Sequence, residues 1–282
     1  MLRYVERRPP ARLAGYLECL WTVWDRSEVR SRPPDRVVPD GCPELIVHLA
    51  DPFTRRVGSR WIAQPSVFLA GTLTQPWLLR AGRRVLTLGL RFRPGAAGRV
   101  FGVSLRATAD AEVPLARLTP ARAGRALVST LRAARTQAQR FAAAEAWLGA
   151  LVDDAPPRPG AAQPAVDAVL RTQGQRRIDD VARDLGWSRR RVERVFVQEL
   201  GIRPKMFARI VRLNAVLASL DQQERADAVD LALAAGYFDQ SHLLRDFRVL
   251  AGRAPHASRR ADGEMAQHFT DPKRLRVLLS GE

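Results

Sequence analysis

Three textures of apolar and polar positions follow one another along the chain. Residues 16–112 hold short apolar runs broken by Pro and Gly, namely VVPDGCPELIVHL, PSVFLAG, WLLRAG and RVLTLGLRF. Runs of that length and punctuation predict the strands of a sandwich or barrel. Residues 115–152 are rich in Ala, Arg and Leu at helical spacing and predict two helices. Ala155–Gln163 (APPRPGAAQ) has no apolar periodicity and reads as an interdomain linker. From there the pattern is helical to about Arg260, and the last twenty residues read as a loose tail with one short helix at Lys273–Leu279. The expected organisation is therefore α+β in two domains: a β-domain over 1–112, a helical segment over 113–154, a linker over 155–163, an all-α domain over 164–262 and a tail over 263–282.

The helical region contains a duplication. Val181 and Ala182, followed by Leu185, Gly186 and Trp187, return fifty residues later as Leu231 and Ala232, followed by Ala235, Gly236 and Tyr237. After one extra residue, Val192, Phe196, Gly201 and Pro204 correspond to Leu243, Phe247, Gly252 and Pro255. Each copy has the mechanics of a helix-turn-helix. Ile178, Val181, Ala182 and Leu185 make the i, i+3, i+4, i+7 stripe of a short helix, and small Ala182 lets the next helix cross closely. Gly186 permits the left-handed turn that ends it. Ser188 then caps a second helix, as Asp239 does in the second copy.

At 100° per residue, Val192, Val195 and Phe196 turn inward. Arg190, Glu193, Arg194 and Val197 lie on the opposite side. In the second copy Ser241, Leu244, Arg245 and Arg248 lie opposite Leu243, and Gln240 projects from the first turn. Arg, Gln and Glu are types that read guanine, adenine and cytosine edges. Arg189, Arg191, Lys205 and His242 flank these faces and suit phosphate contacts. Between the copies, Pro204–Leu220 reads as one helix with Pro204 in its first turn and an apolar stripe of Met206, Phe207, Ile210, Leu213, Leu217 and Leu220. A rod of about 25 Å suits two reading helices set roughly one DNA turn apart.

Charge adds a polyanionic partner but does not place it. The formal net charge is +17 over 282 residues and the pI is near 11.4. Residues 1–160 carry 25 Arg against 13 acidic groups, whereas residues 164–260 carry 18 basic against 12 acidic groups, so the helical region is not the more basic one. Cys19 and Cys42 are too few for a disulfide framework. His48, His242, His256 and His268 lack ligand spacing, so no metal site or cofactor is expected. No apolar run approaches the roughly 20 residues of a membrane span, and MLRYVERRPPARL lacks the apolar core of a secretory signal, so a cytoplasmic protein is expected.

On these residues the chain resembles the bacterial AraC/XylS regulators. The carrying stretches are GYFDQSHLLRDFRVLAGRAP (Gly236–Pro255) and its echo GWSRRRVERVFVQELGIRP (Gly186–Pro204), within about residues 164–260. The resemblance implies that both second helices enter successive major grooves, with Arg190, Glu193, Arg194, Gln240, Ser241 and Arg245 reading bases. Glu193 departs from that pattern as the one acid among arginines, and it is placed to pair with Arg189, Arg190 or Arg194. VVPDGCPELIVHL (Val37–Leu49), LAGTLTQP (Leu69–Pro76) and GLRFRPGAA (Gly89–Ala97) resemble a companion domain of such regulators and imply a cupin-like β sensor domain with no named ligand.

Asp40-Gly41-Cys42-Pro43-Glu44 reads either as a ligand-binding or thiol-sensing loop or as a turn. Trp21, Trp24, Trp61 and Trp77 either line a pocket for an apolar effector or form core. An alkyl-transfer repair enzyme would need an activated cysteine with a Cys or His partner, which Cys42 lacks, and a sequence-indifferent structural binder would not need base-reading side chains. The expectation is a non-enzymatic, sequence-specific regulator, monomer or homodimer, with double-stranded DNA and a small organic effector as partners.

Overall fold

The computed structural model describes residues 2–25, 34–152, 160–222 and 234–254. The first helix of the second copy with Leu231 and Ala232, residues 155–159 of the expected linker, Pro255 and the tail lie outside the described residues.

The first half is two antiparallel sheets. Strands β1 (Arg3–Arg7), β2 (Leu17–Asp25), β4 (Glu44–His48), β7 (Val67–Ala70), β9 (Val85–Phe92) and β10 (Glu112–Pro114) form one sheet in the order β1-β2-β9-β4-β7-β10. The other is β3 (Asp35–Val37), β8 (Trp77–Arg80), β5 (Thr54–Val57) and β6 (Arg60–Ala63), ordered β3-β8-β5-β6. Trp21, Ile46 and Phe68 from the larger sheet meet Trp77 and Leu79 from the smaller one in a shared core, which makes the sandwich. Central strands β2 and β9 are buried on both faces, because the outer face of the large sheet is covered by helices.

Those helices are α1 (Ala96–Phe101), α2 (Ala121–Ala133) and α3 (Gln137–Gly149). Leu127, Leu131, Phe141 and Leu148 share one core with Leu45, Leu88 and Leu90. The expected division between a β-domain ending at 112 and a separate helical segment from 113 is therefore corrected. Strand β10 crosses that boundary to pair with β7, and α2 and α3 belong to the β-domain. The Ala-rich pattern identifies the helices; their attachment comes from the apolar sheet face that needs covering.

The second half comprises α4 (Gln163–Arg171), α5 (Ile178–Asp184), α6 (Arg189–Glu199), α7 (Pro204–Gln222) and α8 (Gln240–Leu250). The linker expectation overshoots at its end. Ala162 is fully buried, α4 starts at Gln163, and the Ala161 and Ala162 amides donate to the Glu199 carboxylate at 2.8 and 3.0 Å. At that end of the stretch, Gly160–Gln163 lead into a helix and are fixed to α6.

Helix α7 differs from the expected stripe. Ala208, Val211, Asn214, Ala215 and Val216 are buried as well as Phe207, Ile210, Leu213 and Leu217, so the rod is enclosed nearly all round. A helix of that kind has neighbours on every side. Among them is the β-domain, since Val38 sits in the same core as Phe196 and Phe207.

Candidate nucleic-acid interface and the β-domain cavity

In the first unit, α5 ends at Gly186, whose φ of +64° is the left-handed value only glycine adopts readily. The Trp187 amide then closes the turn on the Ala182 carbonyl at 2.8 Å. Ser188 Oγ accepts from the Arg191 amide at 3.2 Å, starting α6. In the second unit Gly236 takes φ +73°, and the Asp239 carboxylate accepts from the His242 amide at 2.7 Å, starting α8. Val192, Val195 and Phe196 on α6, and Leu243, Phe247 and Leu250 on α8, are buried against α7 and its surroundings.

The opposite faces point to solvent. Arg190, Glu193 and Arg194 are exposed on α6, as are Gln240, Ser241, Arg245 and Arg248 on α8. Arg189 is held by two surface ion pairs, to Asp179 at 3.2 Å and to Glu193 at 3.3 Å. Of the three arginines that sequence offers Glu193, the structure pairs it with the first. The Arg191 guanidinium lies 4.2 Å from the centre of the Trp187 ring. Lys205 is exposed in the first turn of α7, and the His242 ring meets Tyr237 edge-on at 5.1 Å.

Sequence reading missed what anchors α8. Arg209 of α7 donates from Nε and Nη2 to Asp246 Oδ1 at 3.0 and 2.8 Å, and the Asp246 side chain is 4% exposed. Beside it, burial and then the Asp246 charge push the Tyr237 hydroxyl well above its ordinary value, so it stays neutral. An acid at the third position after Leu243, on the inward side of the helix, was the available signal.

The β-domain encloses a cavity of about 50 Å³ between its sheets. Trp21 and Trp77 line it with Phe53, Phe68, Ile46 and Leu79. Trp21 and Trp77 fit both readings, as core and as lining, whereas Trp24 and Trp61 are half-buried and belong to neither the lining nor a core cluster among the described residues. One polar wall is a relay. His48 Nδ1 lies 3.0 Å from Thr87 Oγ1 and Nε2 lies 3.3 Å from Gln64 Oε1, and Gln64 Nε2 donates to Glu112 at 3.1 Å. Glu112 in turn pairs with Arg55 at 2.7 Å. Burial lowers the His48 pKa to about 4, so its imidazole is neutral with the proton on Nε2 facing Gln64 Oε1.

The other polar wall is the turn Asp40–Glu44. Arg91 donates to Asp40 at 2.8 Å and to Glu44 at 2.7 Å, with its side chain 7% exposed. Burial alone would lower the Arg91 pKa, but the two carboxylates outweigh it and hold the guanidinium charged. Burial, reinforced by Asp40, pushes the Cys42 thiol well up, which leaves it unreactive and weighs against thiol sensing. An arginine inside the apolar run of β9 was the sequence signal for this buried pair. Among the described residues no group of three or more His, Cys, Asp or Glu is arranged to hold a metal, and no helix is long and apolar enough to cross a membrane.

Two segments of the cavity wall also touch the helical half. The Pro39 carbonyl accepts from Asn214 Nδ2 of α7 at 3.1 Å. Gly41, at φ +87°, lies so close to the Phe207 ring that an added Cβ would sit 2.8 Å from it. Next to Gly71, Thr72 Oγ1 donates to the Leu200 carbonyl at 2.7 Å, and the Leu105 amide donates to Gln198 O at 2.8 Å.

Residues 181–261 match the model of a helix-turn-helix domain, and residues 5–114 match that of a domain of unknown function (DUF6597). No curated protein matches the sequence. Among solved structures, ToxT from Vibrio cholerae is 8% identical with a TM-score of 0.44, covering 95% of this chain and 97% of its own. ToxT bound to an unsaturated fatty acid is 11% identical with a TM-score of 0.40, covering 90% and 92%. The AraC-like transcriptional activator CuxR is 14% identical with a TM-score of 0.24, covering 74% and 85%. Likenesses at these scores carry no argument about what this chain binds. The capped units on α7 and the matched domain define a DNA-binding protein of the helix-turn-helix class. The chain thus carries that helix-turn-helix domain over residues 181–261, behind a β-domain whose residues 5–114 match a domain of unknown function.

Proposed function

We propose that this chain is a transcription regulator that reads two successive major grooves and that an organic molecule held by the β-domain controls the reading. The observation that carries the first part is that one enclosed rod, α7, is packed against both reading helices while their outer faces stay in solvent. The two units meet it on residues 207–212, Phe196 against Phe207 and Asp246 on Arg209, so one rigid helix fixes their relative placement. Arg190, Glu193 and Arg194 then read one short cluster of bases, and Gln240, Ser241 and Arg245 the other. Lys205, Arg191 and His242 contact phosphates, joined by Arg189 once it leaves its exposed partners Asp179 and Glu193, at little cost for surface pairs.

The test is selection of binding sites from a random duplex pool by the full chain, followed by hydroxyl-radical footprinting. Two protected base clusters about 10 base pairs apart on one face are expected. A single cluster would overturn the two-groove reading.

A further inference from the structure

The cavity and the docking of the two halves share a wall, and this links ligand chemistry to regulation. About 50 Å³ is a third of the roughly 150 Å³ that admits a benzene-sized molecule. An organic ligand therefore needs the wall to give. Strands β2, β4, β7 and β9 are locked in ladders within one sheet and cannot move singly. Val38–Cys42 and Gly71–Leu73 lie outside the strands, and these are the segments that rest on α7 and on the end of α6.

The lining also selects by charge. Arg91 is already spanned by two carboxylates, Asp40 and Glu44, so an entering carboxylate finds the one cation committed and an excess negative charge beside it. An entering ammonium must share a carboxylate with Arg91 or displace Arg91 from it. A buried ion without a counter-ion is strongly disfavoured. The neutral His48–Gln64 pair and the buried indole N–H of Trp77, which makes no hydrogen bond among the described residues, serve an uncharged polar atom instead. Aromatic walls from Trp21, Trp77, Phe53 and Phe68 suit a flat ring.

We propose that the cavity is the effector site, that it takes an uncharged, ring-sized molecule, and that admitting this molecule displaces Val38–Cys42 from α7. This rests on the ligand-responsive reading above and gives it a site, a ligand class and a direction. Occupancy and docking are antagonistic, so weakening the docking tightens the ligand, as linkage requires.

The experiment is calorimetry on the full chain with three ring compounds of matched size, indole, benzoate and benzylamine. Each sample is checked for retention of a duplex selected by the parent protein. Indole should bind at least tenfold more tightly than either charged probe. Equal or tighter binding of benzoate or benzylamine would overturn the ligand class, and no indole binding up to millimolar concentration would overturn the site. Ile46→Phe, which fills the cavity, should abolish indole binding while the duplex is retained, and unchanged binding would also overturn the site. Asn214→Ala and Thr72→Val, which each remove one docking hydrogen bond, should tighten indole about three- to tenfold, and an unchanged or weakened affinity would overturn the antagonism. Failure of the parent protein to select any duplex would instead sink the regulator reading, so the two failures are distinct.

Discussion

The two helix-turn-helix units repeat a pattern but are held in place by different means. The first leans on aliphatic and aromatic packing, with Phe196 against Phe207 at 5.7 Å, and its outer face is laced by exposed ion pairs at Arg189. The second is pinned from within by the Arg209–Asp246 pair, and its outer face carries no comparable ion pair among the described residues. Buried pairs hold one geometry but are costly to break, whereas exposed pairs contribute little to stability and are easily exchanged for phosphate. The first unit is thus built to be rearranged at its surface and the second to be fixed.

The sharpest way to break this comparison is Asp246→Ala. It strands a buried guanidinium and should cost about 3 kcal/mol, the low end for a buried pair because Arg209 remains 24% exposed. Hydrogen exchange should show the loss concentrated in α8, with α6 still protected, and uniform loss of protection would mean that the units are not separately anchored. Next in size come the reading residues. Arg194→Ala and Arg245→Ala should each cost about 1–3 kcal/mol on a selected duplex. Each should relax its own base cluster, and the two effects should be nearly additive. An Arg245→Ala protein with unchanged affinity and base preference would make the second unit a brace.

The caps follow. Ser188→Ala and Asp239→Ala should each lower stability by about 1 kcal/mol in denaturant titrations, since each removes one bond to a helix-end amide. An effect within error at either site would show the packing alone to be sufficient there. The smallest effect is Glu193→Ala, which should change stability by less than about 0.5 kcal/mol. It removes one of the two exposed partners of Arg189, whose phosphate contact already counts in the parent complex, so the salt dependence of binding should stay the same to within about half a counter-ion. A slope steeper by about one counter-ion would show that Glu193 holds Arg189 away from phosphate in the parent protein.

Much of the helical half is legible in sequence because its information is local. A glycine, a capping residue and an i, i+3, i+4 stripe fall within ten residues of one another, and duplication states them twice. The cavity is not legible in that way. Its lining comes from β2, β4, β7, β8 and β9 and the turns between them, brought together by pairings such as Ile46 with Gly89 that no short-range pattern reveals. Asp40-Gly41 carries a turn's chemistry, yet nothing adjacent says that Phe207, far along the chain, needs the space a side chain on Gly41 would fill. Ala155–Gln163 misleads at its end for the opposite reason. Its composition is that of a tether, while Glu199, nearly forty residues away, receives its last amides.

Helix α7 also has a consequence for the DNA. A stiff helix cannot trade length for angle. A residue added between Phe207, which meets Phe196 of the first unit, and Arg209, which holds Asp246 of the second, would advance the second unit by about 1.5 Å and swing it by about 100°, away from the groove it is proposed to enter. On the proposed two-groove reading, the separation and phase of the two base clusters are therefore written in protein, as on a ruler with no sliding scale. On that reading, sites selected by this chain will share one fixed spacing between their base clusters, and a site whose spacing changes by a single base pair will bind more weakly.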